Sequence, residues 1–207
     1  MTINYPNGKI YQAPKEVIER KKKKAPVEYG KRGMSLEEDI NDSNRYYLER
    51  GIAVIHKKPT PIQVVKVDYP KRSAAVIREA YYRHSSTTDF NGIYKGYYID
   101  FEAKETRNKA SFPLKNFHEH QIIHMDQCRK MGGITFVLIL FSTLNRVFLL
   151  GSQHVSLFWH QQTDADKRKS IPLSFIEKNG YEIERGFQPS LDYVAAIEKM
   201  LQTEIKV

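Results

Sequence analysis

From Tyr97 to Thr106 apolar and polar residues alternate, the period of two that marks a strand with unlike faces. Ile99, Phe101 and Ala103 fall on one face, and Asp100, Glu102 and Lys104 on the other. Just upstream stands Lys95-Gly96, a pair suited to a two-residue hairpin turn because glycine adopts positive φ at little cost. With that turn Tyr94 stands opposite Tyr97, and the register carried back sets Asp89 opposite Glu102 and Thr87 opposite Lys104.

The same reading along the chain predicts the surrounding elements. Ser35 followed by Glu38 forms a capping box, and Leu36, Ile40 and Tyr47 recur at helical spacing, so a helix spans about 35–50 and stops at Gly51. Ile52 to His56 reads as a short buried strand. A second helix spans His118 to Met131 before Gly132-Gly133, with Gln121, Met125 and Cys128 on one face. Ile134 to Phe141 is apolar enough for a central strand, and Arg146 to Leu150 follows after a turn at Thr143 to Asn145. Helical patterns return at Gln153 to Gln161 and at Leu191 to Ile205. The order predicts an α/β domain, a mixed sheet flanked by helices.

One stretch, residues 57–86, is too long for an ordinary connection. Pro59 and Pro61 open it, and Val64, Val65 and Val67 follow in an extended run. Lys66, Lys71, Arg72, Arg78 and Arg83 are interleaved there with Tyr69, Tyr81 and Tyr82. Basic residues mixed with aromatics suit stacking on splayed bases beside phosphate contacts, so Lys66, Lys71, Arg72, Arg78, Tyr81 and Arg83 are the predicted DNA contacts. The pattern of Ser73 to Arg83 does not choose between helix and strand.

Composition narrows the setting. A chain of 207 residues with 41% hydrophobic content suits one domain with a substantial core. No apolar run approaches the roughly 20 residues of a membrane span, and the opening Met-Thr-Ile-Asn-Tyr-Pro has no apolar signal region. The single cysteine, Cys128, excludes an internal disulfide framework and fits a cytoplasmic protein. A net charge of +9 and a pI near 9.4 point to a polyanionic partner. Arg20 to Lys24 form an unbroken basic run, and Pro6, Pro14 and Pro26 punctuate the same region. Residues 1–30 therefore read as a flexible basic arm and 31–207 as the domain.

The hairpin carries the candidate chemistry. Directly opposed residues on antiparallel strands have Cβ atoms only about 5 Å apart, so Asp89 and Glu102 repel unless a cation neutralises them. Mg²⁺ takes hard oxygen ligands and suits one or two carboxylates facing a phosphate. Lys104, two residues beyond Glu102, reaches the same space as a positive charge for the transition state. Alone, Glu-x-Lys on a strand is commonly a solvated face; Asp89, the hairpin and the apolar face beneath sharpen it here. Glu37 is either an auxiliary acid near the metal or an ordinary first-turn acid favoured by the helix dipole. Gln121 can offer its oxygen to a metal or hydrogen-bond a strand end. His118, His120 and His124 suggest zinc, yet no second ligand cluster accompanies them in the sequence, and surface or capping roles are expected.

Four segments, Tyr5-Pro6-Asn7-Gly8-Lys9, Gly33-Met34-Ser35-Leu36-Glu37, Thr60-Pro61-Ile62-Gln63-Val64-Val65 and Thr87 to Gly92 with Asp100 to Thr106, resemble the bacterial RecU Holliday junction resolvases. The resemblance covers essentially the whole chain. It implies a restriction-endonuclease-like fold and a Mg²⁺-dependent homodimeric endonuclease that resolves four-way DNA junctions by paired symmetric nicks in recombination and repair, beside recombination proteins. The insertion would be a protruding stalk. The resemblance assigns Thr87, Asp89, Glu102 and Gln121 to Mg²⁺ and Lys104 to transition-state stabilisation. The rival readings are a non-catalytic junction-binding or partner-recruiting protein on the same fold and a nuclease for ordinary duplexes.

Overall fold

In the computed structural model, which describes residues 35–69, 75–82, 87–162 and 168–204, the predicted capping box closes. The Ser35 N–H donates to Glu38 Oε2 (2.8 Å) and Ser35 Oγ accepts from the Glu38 N–H (3.3 Å). Helix α1 (Leu36–Glu49) follows, and Gly51 ends it at φ 65°. In chain order come β1 (Val54–Lys57), β2 (Ile62–Asp68), β3 (Val76–Tyr82), β4 (Phe90–Tyr94), β5 (Tyr97–Thr106) and β6 (Ser111–Pro113). After them stand α2 (Glu119–Lys130), β7 (Ile134–Phe141), β8 (Arg146–Gly151), α3 (Ser152–Gln161), β9 (Ser170–Pro172), α4 (Leu173–Asn179), β10 (Tyr181–Ile183) and α5 (Tyr193–Glu204). The predicted basic arm lies outside the described residues.

Six strands form the main sheet in the order β1-β4-β5-β7-β8-β10. Only β5 and β7 run parallel; their neighbours pair antiparallel. A parallel pair needs a crossover, and α2 supplies it. Strand β7 is buried along its whole length because both faces are covered. Phe136 and Leu138 pack with Ile40 and Tyr47 of α1 and Val194 and Ile197 of α5. Val137, Ile139 and Phe141 pack on the opposite face with Ile122 of α2, Val155 of α3 and Ile176 of α4. The fold is thus a mixed α/β sandwich, consistent with the restriction-endonuclease-like architecture.

Across the sheet, Phe101 stacks on Phe90 (4.9 Å) and on Phe136 (4.7 Å). This aromatic row fixes the apolar face of β5 under the hairpin, since rings of this size dominate core energetics. The C-terminal segment is tied to α1: Tyr47 donates to the Leu191 carbonyl (2.9 Å), and Ser43 Oγ accepts from the Leu191 N–H (2.9 Å).

Several predicted elements differ in detail. The strand read at Ile52 to His56 runs Val54–Lys57 and is not buried throughout; it is a sheet edge with Ile55 alone turned into the core. The sheet continues past β8 to β10, which three residues of pattern are too short to announce. Strand β6 pairs with β9 in a separate two-stranded sheet. Within the insertion, Val76–Tyr82 is strand and, among the described residues, pairs antiparallel with β2 alone. Both strands are exposed along nearly their full length, so among the described residues β-branched side chains and backbone pairing, and not a core, form this hairpin.

At Gly92 the edge strand presses on β4 so closely that a Cβ would lie 2.1 Å from the Val54 carbonyl oxygen and 2.6 Å from Ile55 Cα. Backbone atoms cannot yield as a flexible side chain can. Gly92→Ala is expected to lower stability by about 1–3 kcal/mol, as overpacking typically does, and a urea midpoint measured against wild type checks it.

Candidate metal centre

The hairpin turn forms as predicted, with Lys95 at φ 48° and Gly96 at φ 83°, the two positive angles of a type I′ turn. From it the register runs Tyr94 opposite Tyr97 through Phe90 opposite Phe101. The ladder ends there, and Asp89, one residue further, meets Glu102: its N–H donates to Glu102 Oε2 at 3.1 Å.

Glu102 is 1% exposed. Its other oxygen, Oε1, accepts from Gln121 Nε2 (2.7 Å) and from Lys104 Nζ (3.0 Å). Even so, burial, reinforced by the neighbouring Asp89 carboxylate, pushes the Glu102 carboxyl up to about 8, against the opposing pull of Lys104. The cause is charge balance in a dry place: two acids face each other beside one ammonium group. A divalent cation fits this donor set, because it would supply the missing positive charge to two hard oxygen ligands.

The other predicted site residues are placed as follows. Gln121 is buried on the first turn of α2; its oxygen accepts the His118 N–H (3.0 Å) while its amide nitrogen holds Glu102. That leaves one oxygen lone pair, so Gln121 here orients a carboxylate. Thr87 lies beyond the ladder and donates from Oγ1 to the Thr88 carbonyl (3.3 Å). Lys104 stands 5.9 Å from the centre of the Phe117 ring. Glu37, on the first turn of α1, is paired with Lys57 Nζ at 2.6 Å. Of the predicted DNA contacts, Lys66 is exposed, Arg78 pairs with Asp68 (2.5 Å), and the Tyr81 hydroxyl donates to Glu79 (2.6 Å). Lys71, Arg72 and Arg83 lie outside the described residues.

Sequence reasoning missed a second polar cluster on the same face of β5, around Asp100. This carboxylate is fully buried. It accepts from Lys58 Nζ (2.7 Å), the Tyr98 hydroxyl (2.7 Å) and Thr88 Oγ1, and His124 Nε2 lies 3.2 Å away. Burial pushes its carboxyl up, but hydrogen bonds from Lys58, Thr88 and Tyr98 outweigh that and hold it below the ordinary range. Lys58 joins the two clusters: its ammonium also donates to Thr88 Oγ1 (3.0 Å), and its N–H donates to the Asp89 carbonyl (2.7 Å). The one available signal was Asp100 sharing a face with Glu102; no local pattern marks Lys58.

Comparison with known proteins agrees over nearly the whole chain. The family described as Recombination protein U, RecU, matches residues 31–199. A Holliday junction resolvase RecU of Geobacillus sp. strain WCH70 is 58% identical over 202 residues, covering 97% of this chain and 98% of that protein. Its counterpart in Lactiplantibacillus plantarum is 58% identical over 201 residues, with 97% of each chain covered. The one from Listeria welshimeri is 54% identical over 200 residues, covering 97% and 99%. With the predicted hairpin register formed, two acids brought together at its end and a family match spanning most of the sequence, the chain belongs to the RecU family.

Proposed function

We propose that the protein is an endodeoxyribonuclease that resolves four-way DNA junctions by paired symmetric nicks, acting as a homodimer with Mg²⁺ in cytoplasmic recombination and repair. The observation that carries this reading is the partly buried Asp89 facing the buried Glu102 beside Lys104, with Glu102 raised to about 8 by burial and by its neighbour. The names of the relatives, Holliday junction resolvases at 54–58% identity, support the substrate. A protein that only binds junctions has no use for a buried acid facing a second acid.

Asp89 and Glu102 would hold the cation, with Thr87 and Gln121 at its margin. When bound, a hard divalent cation polarises the scissile phosphate and lowers the pKa of the attacking water. The chain's own groups do the remaining work. Gln121 fixes the Glu102 carboxylate through Oε1, and the Asp89 N–H fixes it through Oε2, so the acid is positioned before substrate arrives. Lys104, 3.0 Å from Glu102, has a short swing to a phosphate oxygen on which charge builds. Glu37, paired with Lys57, would serve as an auxiliary acid. Two symmetric cuts need two such sites, which a twofold dimer provides. Residues 1–30 serve as a basic arm on the phosphate backbone, the β2–β3 hairpin belongs to the stalk, and Lys66, Lys71, Arg72, Arg78, Tyr81 and Arg83 contact the branched DNA. Among the described residues, no helix is long and apolar enough to cross a membrane.

Asp89→Asn is expected to reduce Mg²⁺-dependent nicking of a synthetic mobile junction to the level of a chelated sample while junction binding persists. Lys104→Ala should lower kcat by about 10²–10³-fold, the usual cost of one transition-state donor, with Mg²⁺ affinity by calorimetry little changed. Full cleavage by Asp89→Asn refutes the site.

The raised Glu102 carboxyl also sets a pH dependence. Between the ordinary 4.5 and about 8 the folded, metal-free protein holds a proton that the unfolded chain has released, so stability falls as pH rises through that window. Comparing the Tm of wild type and Glu102→Gln in chelator should show this downward slope in wild type alone.

Replacing Lys66 to Arg78 by a Gly/Ser linker should preserve the fold by circular dichroism and lower the ratio of junction to duplex affinity at fixed salt. Neutralising Lys71 and Arg72 should flatten the salt dependence of junction binding by about one phosphate contact per charge. An unchanged affinity ratio in the linker variant would assign junction selectivity elsewhere.

A further inference from the structure

His124 and Cys128 are one helical turn apart on α2, on the side that faces β5. The fold brings to them what the sequence did not show, the Asp100 carboxylate. His124 Nε2 lies 3.2 Å from Asp100 Oδ2 and 3.6 Å from Cys128 Sγ, and one ligand atom of each residue lies within 4.8 Å of the other two. In a tetrahedral zinc site, bond lengths of about 2.0–2.3 Å give edges of about 3.4 Å between nitrogen and oxygen and about 3.6 Å between nitrogen and sulfur. The His124–Asp100 and His124–Cys128 separations already stand near those edges.

We propose that Asp100, His124 and Cys128 form a second metal site, which takes Zn²⁺ and inhibits the nuclease. The donor set is one oxygen, one imidazole nitrogen and one sulfur, which suits a borderline transition ion and does not suit Mg²⁺. The two sites therefore select different ions. His124 is 19% exposed at its side chain and Cys128 is partly exposed, so an ion reaches the cluster from solvent, and water completes the fourth position. On binding, the thiol proton is released to water and the thiolate takes its place on the ion. Thr88 keeps the other Asp100 oxygen, the kind of outer hydrogen bond that orients a ligating carboxylate.

Inhibition follows from the groups that face Asp100. Besides Thr88 and Tyr98, the ammonium of Lys58 shares oxygen Oδ2 at 2.7 Å, and it cannot remain there against a dication. At 17% side-chain exposure it has a route to solvent. Its departure also breaks its bond to Thr88 Oγ1 and slackens the segment whose main chain holds the Asp89 carbonyl. Asp89 then loses its fixed position opposite Glu102. This consequence rests on the proposed role of Asp89; the ion site itself does not.

The test uses the full-length protein with Mg²⁺ in excess. Titration with Co²⁺ should produce thiolate-to-cobalt charge-transfer absorption, and Zn²⁺ should then abolish it by displacement. Cys128→Ser, and Cys128→Ala as a second variant, should lack the band and bind Zn²⁺ about 100-fold or more weakly, beyond the loss seen on removing an outer-shell partner. In junction cleavage, Zn²⁺ should inhibit wild type at concentrations that leave Cys128→Ser active. Absence of the thiolate band in wild type overturns the site. Equal Zn²⁺ sensitivity of wild type and Cys128→Ser overturns the inhibition, since the ion then acts at the Asp89–Glu102 pair. Because the absorption needs no turnover, a protein that forms the band yet never cuts junctions refutes the proposed function and leaves the zinc site standing.

Discussion

A carboxylate held in a dry place next to another carboxylate is the constraint around which this molecule is arranged. Glu102 is 1% exposed on a central strand, where an uncompensated charge is costly. Its two oxygens receive a main-chain N–H from Asp89, an amide from Gln121 and an ammonium from Lys104. Those three donors come from the hairpin, the crossover helix and the strand itself. Each element is held at a fixed angle to the others because all three must converge on one group.

The opposite face of the same strand supplies the rigidity. Ile99 and Phe101 are wholly buried, and Phe101 lies between Phe90 and Phe136 in one aromatic stack. A sheet residue cannot change faces without a register slip that turns every neighbour over. Burying the phenylalanine therefore locates the acids. Asp100 uses the same arrangement on the strand's polar side, where Lys58 ties the edge strand to the segment preceding β4. The Asp89–Glu102 and Asp100 clusters meet at this lysine, and an ion that claims Asp100 must first remove it.

The insertion obeys a different economy. Among the described residues its hairpin pairs only with itself, and it exposes Ile62, Val64, Val65, Val76 and Ile77 alongside Tyr81 and Tyr82. Isolated two-stranded hairpins are marginal in water, so this element suits a surface completed by a partner. Arg78 and Tyr81 are engaged by Asp68 and Glu79 of the same hairpin, and contact with phosphate would have to compete with those acids.

Local chemistry was enough to determine much of this from sequence. The Lys95-Gly96 turn, the period of two in β5 and the Ser35/Glu38 box depend on neighbours a few residues away, and so the hairpin register, the meeting of Asp89 with Glu102 and the bounds of α1 were all legible. Family likeness supplied the resolvase reading and the assignment of Thr87 and Gln121. What only the tertiary structure decided depends on residues far apart in the chain. Gln121 gives its amide nitrogen to Glu102 because the His118 N–H claims its oxygen, which spacing does not reveal. Strands β6, β9 and β10 are three residues each, too short for a pattern, and exist because a partner strand is already in place. His124 and Cys128 had no visible companion in the sequence, since the third ligand, Asp100, stands on another element and is brought to them only when α2 packs across the β5–β7 pair.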